Sequence, residues 1–149
     1  MLVCTRRNGT STWTQIDRFM ALHDLAHYCV EQELKLKDGF YGLVTRGVDI
    51  SDFEDKEKIR AKNLPQESVI AELIVGLILT ERADNNQLPD FNKTLNETAR
   101  PRGIDQVEYI SPDQLNAIRG RLDELVNKWT FLPKGEALKL NFDEGYSGK

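Results

Sequence analysis

The chain holds two histidines, and they lie four residues apart in the segment Leu22-His23-Asp24-Leu25-Ala26-His27-Tyr28. On a helix that spacing puts both imidazoles on one face, where neutral rings can grip a divalent cation such as zinc at about 2 Å from each ring nitrogen. Asp24 sets a carboxylate beside the first histidine, placed to act as a general base or to orient a ligand. Two residues qualify as a third ligand. Glu31 continues the line of the histidines, but it stands eight residues beyond His23, a rise of about 12 Å that one straight helix delivers poorly to a single ion. Glu72 is the better candidate, because it interrupts the apolar run 69–79, where an unpaired carboxylate would cost several kcal/mol. The same residues admit a reading without metal, in which His23 and His27 hydrogen-bond Glu72 or a backbone carbonyl and fill a helix interface.

Either reading needs a helix under the histidines, and the sequence supplies one. Asp17 can cap a helix running to about residue 36, with Gly39 just past its end. At 100° per residue, Ile16, Phe19, Leu22, Ala26, Val30 and Leu34 share an apolar arc, and the histidines sit at its edge. Upstream, residues 2–16 read as a β-hairpin around the Asn8-Gly9 turn. Residues 39–50 form an apolar segment punctuated by Gly39, Gly42 and Gly47, a short helix or a packed turn. Ser51 and Glu54 have the spacing of a capping box, which opens a charged helix to about residue 62.

Pro65 fits the first turn of a second long helix, to about residue 83, whose side chains are apolar nearly all round. Residues 84–103, rich in Asn, Asp, Thr and Pro, read as an irregular polar loop, and Arg100 and Arg102 could hold an anion there. Ser111 and Gln114 form another capping box, and Leu115, Ile118, Leu122, Leu125 and Trp129 mark an amphipathic helix ended by Pro133. Leu138, Leu140 and Phe142 alternate as a strand would. The expectation is one α+β domain over residues 1–149. Its small antiparallel sheet, the N-terminal hairpin plus the C-terminal strand, packs against three main helices.

Three resemblances bear on the histidine segment. His23-Asp24-Leu25-Ala26-His27 resembles the His-Glu-x-x-His helix of zinc metallopeptidases, which implies His23 and His27 as ligands and Asp24 as general base, although aspartate is one methylene shorter. His23-Asp24 also resembles the adjacent pair of HD-domain phosphohydrolases, but no histidine precedes it; Asp84 or Asp90 would take the late aspartate's place. Over residues 22 to about 50 the chain is similar to a family of small uncharacterised bacterial proteins. They carry a His-Asp-x-x-His-aromatic-x-Val-Glu helix followed by Gly-Phe-aromatic-Gly-Leu. Here these are His23-Asp24, His27-Tyr28, Val30-Glu31 and Gly39-Phe40-Tyr41-Gly42-Leu43. The likeness implies that the histidine helix and the glycine-aromatic segment form one unit.

Bulk properties set the outer limits. With 20 basic and 24 acidic residues the net charge is −4, which argues against a nucleic-acid or anionic-membrane binder, since both need a basic footprint. The first residues lack a sustained apolar run, so a cytoplasmic location is expected. Cys4 and Cys29 read as buried free thiols. The leading expectation is a divalent-metal site with a hydrolytic capacity, built on His23, His27 and Glu72 or Glu31, with Asp24 beside it. The rival is a non-catalytic interaction or accessory domain with a protein or small-molecule partner. That rival expects an exposed apolar patch near Phe91 and Leu95 or Trp129 and Phe131. The three-four spacing from Leu115 to Trp129 would also serve a homo-oligomer seam.

Overall fold

Gly9, at φ 85, turns the chain where an L side chain would be strained. Strands β1 (Leu2–Thr5) and β2 (Ser11–Thr14) pair antiparallel across this turn, with Val3 opposite Trp13 and Cys4 opposite Thr12. The structure, a computed structural model, describes residues 1–58 and 63–143.

Helix α1 (Arg18–Leu34) starts where the Asp17 carboxylate accepts the amide of Met20 at 2.8 Å, and ends at Lys35 in the left-handed conformation. Its sides are clasped by α4 (Gln66–Asp84) and α6 (Pro112–Thr130). Between them Leu25, Ala26, Cys29 and Val30 meet Ile74, Val75 and Ile78 on one side and Ile118, Leu122 and Leu125 on the other. Arg119 crosses from α6 to the buried Glu81 of α4 with two nitrogens at 2.9 and 2.8 Å, a paired geometry that offsets the burial of both charges. Ser111 and Gln114 cap α6 reciprocally, as their spacing predicts, and the row Leu115–Leu125 is spent on this chain's own core.

Several expectations are corrected. Phe19 is exposed, because it lies in the first turn of α1, ahead of the core contacts that begin at Ala21. The capping box after the glycine segment is Asp49 with Asp52, two residues earlier than Ser51 and Glu54, and it opens only the short helix α3 (Ile50–Glu54). Asp55 then turns extended, and residues 59–62 of the expected charged helix lie outside the described residues.

The stretch 84–103 is not a loop throughout. It contains α5 (Phe91–Ala99) and a single 3-10 turn (Arg100–Arg102). Asp90 caps α5, and Phe91, Leu95 and Ala99, four apart, are all buried, so the apolar patch expected around Phe91 and Leu95 is core. Its asparagines are structural clamps: Asn92 accepts from the Ile110 amide and donates to the Ile110 carbonyl, and Asn96 accepts from the Val107 amide.

Residues 138–143 carry no strand, and the sheet has two strands among the described residues. The backbone here finds other partners. The Tyr28 hydroxyl of α1 donates to the Asn141 carbonyl at 2.8 Å, and the Gln32 amide bonds both the carbonyl and the amide of Asp143. Leu138, Leu140 and Phe142 still turn toward the core, so the alternation was a burial pattern without a ladder.

The hairpin's polar ties run to short elements. The Thr12 hydroxyl accepts the Ile50 amide at the start of α3, and Thr14 donates to Glu54 at its end. Arg6, just past β1, donates to the carbonyls of Val44 and Val48 and to Asp49.

Candidate metal centre

The helical spacing of His23 and His27 on α1 puts their ring centroids 4.6 Å apart, and α4 brings Glu72 against both. Glu72 Oε2 is 3.4 Å from His23 Nε2, and Oε1 is 2.9 Å from His27 Nε2. One ligand atom from each of the three residues falls within a 4.8 Å cluster. Tetrahedral bonds of about 2 Å put ligand atoms roughly 3.3 Å from one another, so small rotamer changes close this cluster on a zinc-sized ion. The side chain of His27 is 2% exposed, that of His23 25% and that of Glu72 57%, so the cluster is anchored inside and faces solvent on one side.

Glu72 is therefore the partner of the histidines that the sequence points to, but not for the expected reason. Its carboxylate sits at the exposed edge of α4 and escapes the full cost of burial.

The fully buried carboxylate is Glu31. It accepts from His27 Nδ1 at 2.8 Å and from the amides of Phe40 and Tyr41 at 3.0 and 2.9 Å. Those amides belong to the first turn of α2 (Phe40–Thr45), whose N-cap Gly39 has no side chain to satisfy them. Glu31 thus caps a neighbouring helix and orients a histidine at once. Both Glu31 oxygens accept hydrogen bonds, and Glu31 stands outside the three-residue cluster of His23, His27 and Glu72. The signal for this role was Gly39, since a Cβ there would overlap the Glu31 carboxylate.

Because a carboxylate only accepts, the proton of neutral His27 belongs on Nδ1, and Nε2 keeps its lone pair toward Glu72 and His23. Glu72 Oε1 is near this nitrogen but off its bonding direction, and Nε2 is buried with no hydrogen bond. A buried lone pair left unpaired between a second imidazole and a carboxylate is the arrangement a cation would complete.

With no ion bound, the electrostatics favour a proton on His27. Burial alone would lower the His27 pKa, but the bond to Glu31 and the neighbouring Glu72 carboxylate lift it to about 9. Burial would raise Glu72, yet His23 and His27 hold it far below the usual carboxylate range. Without metal, the first of these shifts makes stability pH-dependent. A raised histidine pKa contributes fully below about 6.5 and is lost as pH rises through the folded value. We expect the chelated protein to lose on the order of 2 kcal/mol between pH 6.5 and 9, read by urea unfolding across that range. A His27→Asn variant should lack this slope. An identical slope in both would assign it elsewhere.

Asp24 is placed differently from its histidine neighbours. It forms no side-chain hydrogen bond to either ring among the described residues, and it lines a cavity on the hairpin side of α1. Burial pushes its pKa up to about 6, against the opposing charges of His23 and His27. Cys4 and Cys29 are likewise raised by burial, to about 11 and about 12, and stay neutral thiols. Arg100 and Arg102 fall in the 3-10 turn, away from the cluster residues in sequence and element. Among the described residues no helix is long and apolar enough to cross a membrane. Comparison with protein-family models, with curated proteins and with solved structures returns no match to this chain.

Proposed function

We propose that the protein binds a divalent transition-metal ion, zinc by preference, through His23, His27 and Glu72. The observation that carries this reading is the clustering of one ligand atom each from His23, His27 and Glu72 within 4.8 Å, with Glu31 fixing the His27 ring from behind. Two imidazoles and one carboxylate, held by two helices and open on one side, match the three-ligand type of catalytic zinc site rather than the closed four-ligand structural type. A bound ion there would supply Lewis acidity and an acidified water, the chemistry of metal-dependent hydrolysis. His27 is the rigid ligand, His23 and the half-exposed Glu72 the adjustable ones. Asp24 enters this reading only through its charge.

The rival reading has one observation in its favour. His27 protonated between Glu31 and Glu72 is a self-sufficient ion-pair bridge, which would knit α1 to α4 with no ion present.

Elemental analysis of untagged protein purified without chelators separates the two. Near-stoichiometric zinc, manganese or iron is expected in the wild type, falling by about tenfold or more in Glu72→Ala and His23→Ala. Both altered side chains are partly exposed, so these variants should fold. Metal-free wild type that also fails to take up zinc on reconstitution would transfer the cluster to the structural reading.

A further inference from the structure

Between the hairpin, α1 and the segment 135–143 lies a cavity of about 880 Å³, within the size range of small-molecule sites. None of the cluster residues His23, His27 and Glu72 lines it, so it is a separate feature from the metal centre. Its walls are mainly apolar, with Leu25, Leu138 and Leu140 among them, and four aromatic rings border it: Tyr28, Tyr41, Trp129 and Phe142.

Three acidic residues border the cavity, of which Glu136 and Asp143 are exposed to solvent and Asp24 alone is buried. Asp24 is 8% exposed, and its Oδ2 is buried with no hydrogen bond. The neighbouring donors that could have satisfied it are spent elsewhere. The Tyr41 hydroxyl donates to the Asp24 backbone carbonyl, not to its side chain, at 2.9 Å. The Tyr28 hydroxyl, one helical turn on, donates to the Asn141 carbonyl. Arg6, the buried guanidinium of the wall, gives its protons to Val44, Val48, Asp49 and Thr10. A buried carboxylate oxygen without a donor is costly, and a cation in the cavity beside Asp24 would offset that cost.

We propose that this cavity binds a small amphipathic amine, its ammonium group on Asp24 and its apolar chain or ring between α1 and the segment 138–142. The Asp24 carboxylate favours the cationic head, while the leucines and aromatic rings of the lining receive the body. The two sites share no lining or ligand residue, and Asp24, next to His23 in the chain, touches the metal reading only through its charge.

The test pairs two probes of equal shape, octylamine and octan-1-ol, titrated calorimetrically into the full chain at pH 7.5, with amide-shift mapping by NMR. Octylammonium is expected to bind about tenfold or more tightly than octanol, with shifts at Asp24, Tyr28 and Leu140. In Asp24→Asn that preference should vanish while octanol affinity stays within about twofold. Leu140→Trp leaves the carboxylate in place and narrows the apolar wall, so it should weaken both probes by about tenfold, and it decides the matter if the Asp24 variant does not fold. Equal affinity for the two probes, a preference that survives Asp24→Asn, absence of binding, or shifts confined to the surface would each overturn the proposal.

Discussion

Glu31→Ala, which removes a fully buried carboxylate, is expected to cost about 3–5 kcal/mol of stability. The substitution orphans three donors at once, His27 Nδ1 and the amides of Phe40 and Tyr41, in a site with no access to water for Glu31 itself. Each orphaned donor costs roughly 1–3 kcal/mol where solvent cannot replace the carboxylate. Glu31→Gln should recover part of the loss, because its carbonyl can still accept while its amide nitrogen faces another donor. Guanidinium unfolding at unchanged m value reads the difference. A loss below about 1 kcal/mol would mean that α2 is held by something other than Glu31.

Gly42→Ala comes second. A Cβ on Gly42 would overlap the Lys37 carbonyl, a backbone atom that cannot swing aside as a side chain can. We expect about 2–4 kcal/mol of destabilisation and displacement of the 37–45 segment. Gly76→Ala is the matched control. Gly76 lies inside α4 with nothing within 4 Å of the new methyl, so the same substitution should stabilise by roughly 0.5–1 kcal/mol through helix propensity. Thermal unfolding of the pair should show opposite signs. Shifts of the same sign would refute the packing assigned to Gly42.

What the sequence disclosed, and what it hid, follows from the range of each signal. His23 and His27 were legible because helical spacing is local, and the caps at Asp17 and Ser111 because they act over three residues. Glu72 was legible as a partner since a carboxylate in an apolar run must be answered, although the register of α4 turns it outward. The capping role of Glu31 was hidden because it depends on α2 arriving end-on nine residues later, which no period in the sequence encodes. Helix α5 was hidden by composition. Asparagines and threonines lower helix propensity, but Asn92 and Asn96 recover the cost by bonding the segment that follows, and Phe91, Leu95 and Ala99 carried the four-residue spacing throughout. The C-terminal alternation gave the buried face of residues 138–142 correctly, while hydrogen-bond partners, which decide strand from coil, belonged to α1.

Arg6 has a dynamic consequence. A two-stranded ribbon is marginal in water on its own, and this one is fastened by the Arg6 guanidinium, which reaches the end of α2 and the start of α3, together with Thr12 and Thr14 on α3. The same ribbon is a wall of the 880 Å³ cavity. Local opening of the hairpin thus requires the release of a few hydrogen bonds rather than disruption of the three-helix core, and falls at the low end of the molecule's opening free energies. The hairpin is therefore the wall of the cavity that rests on the fewest ties, those of Arg6, Thr12 and Thr14.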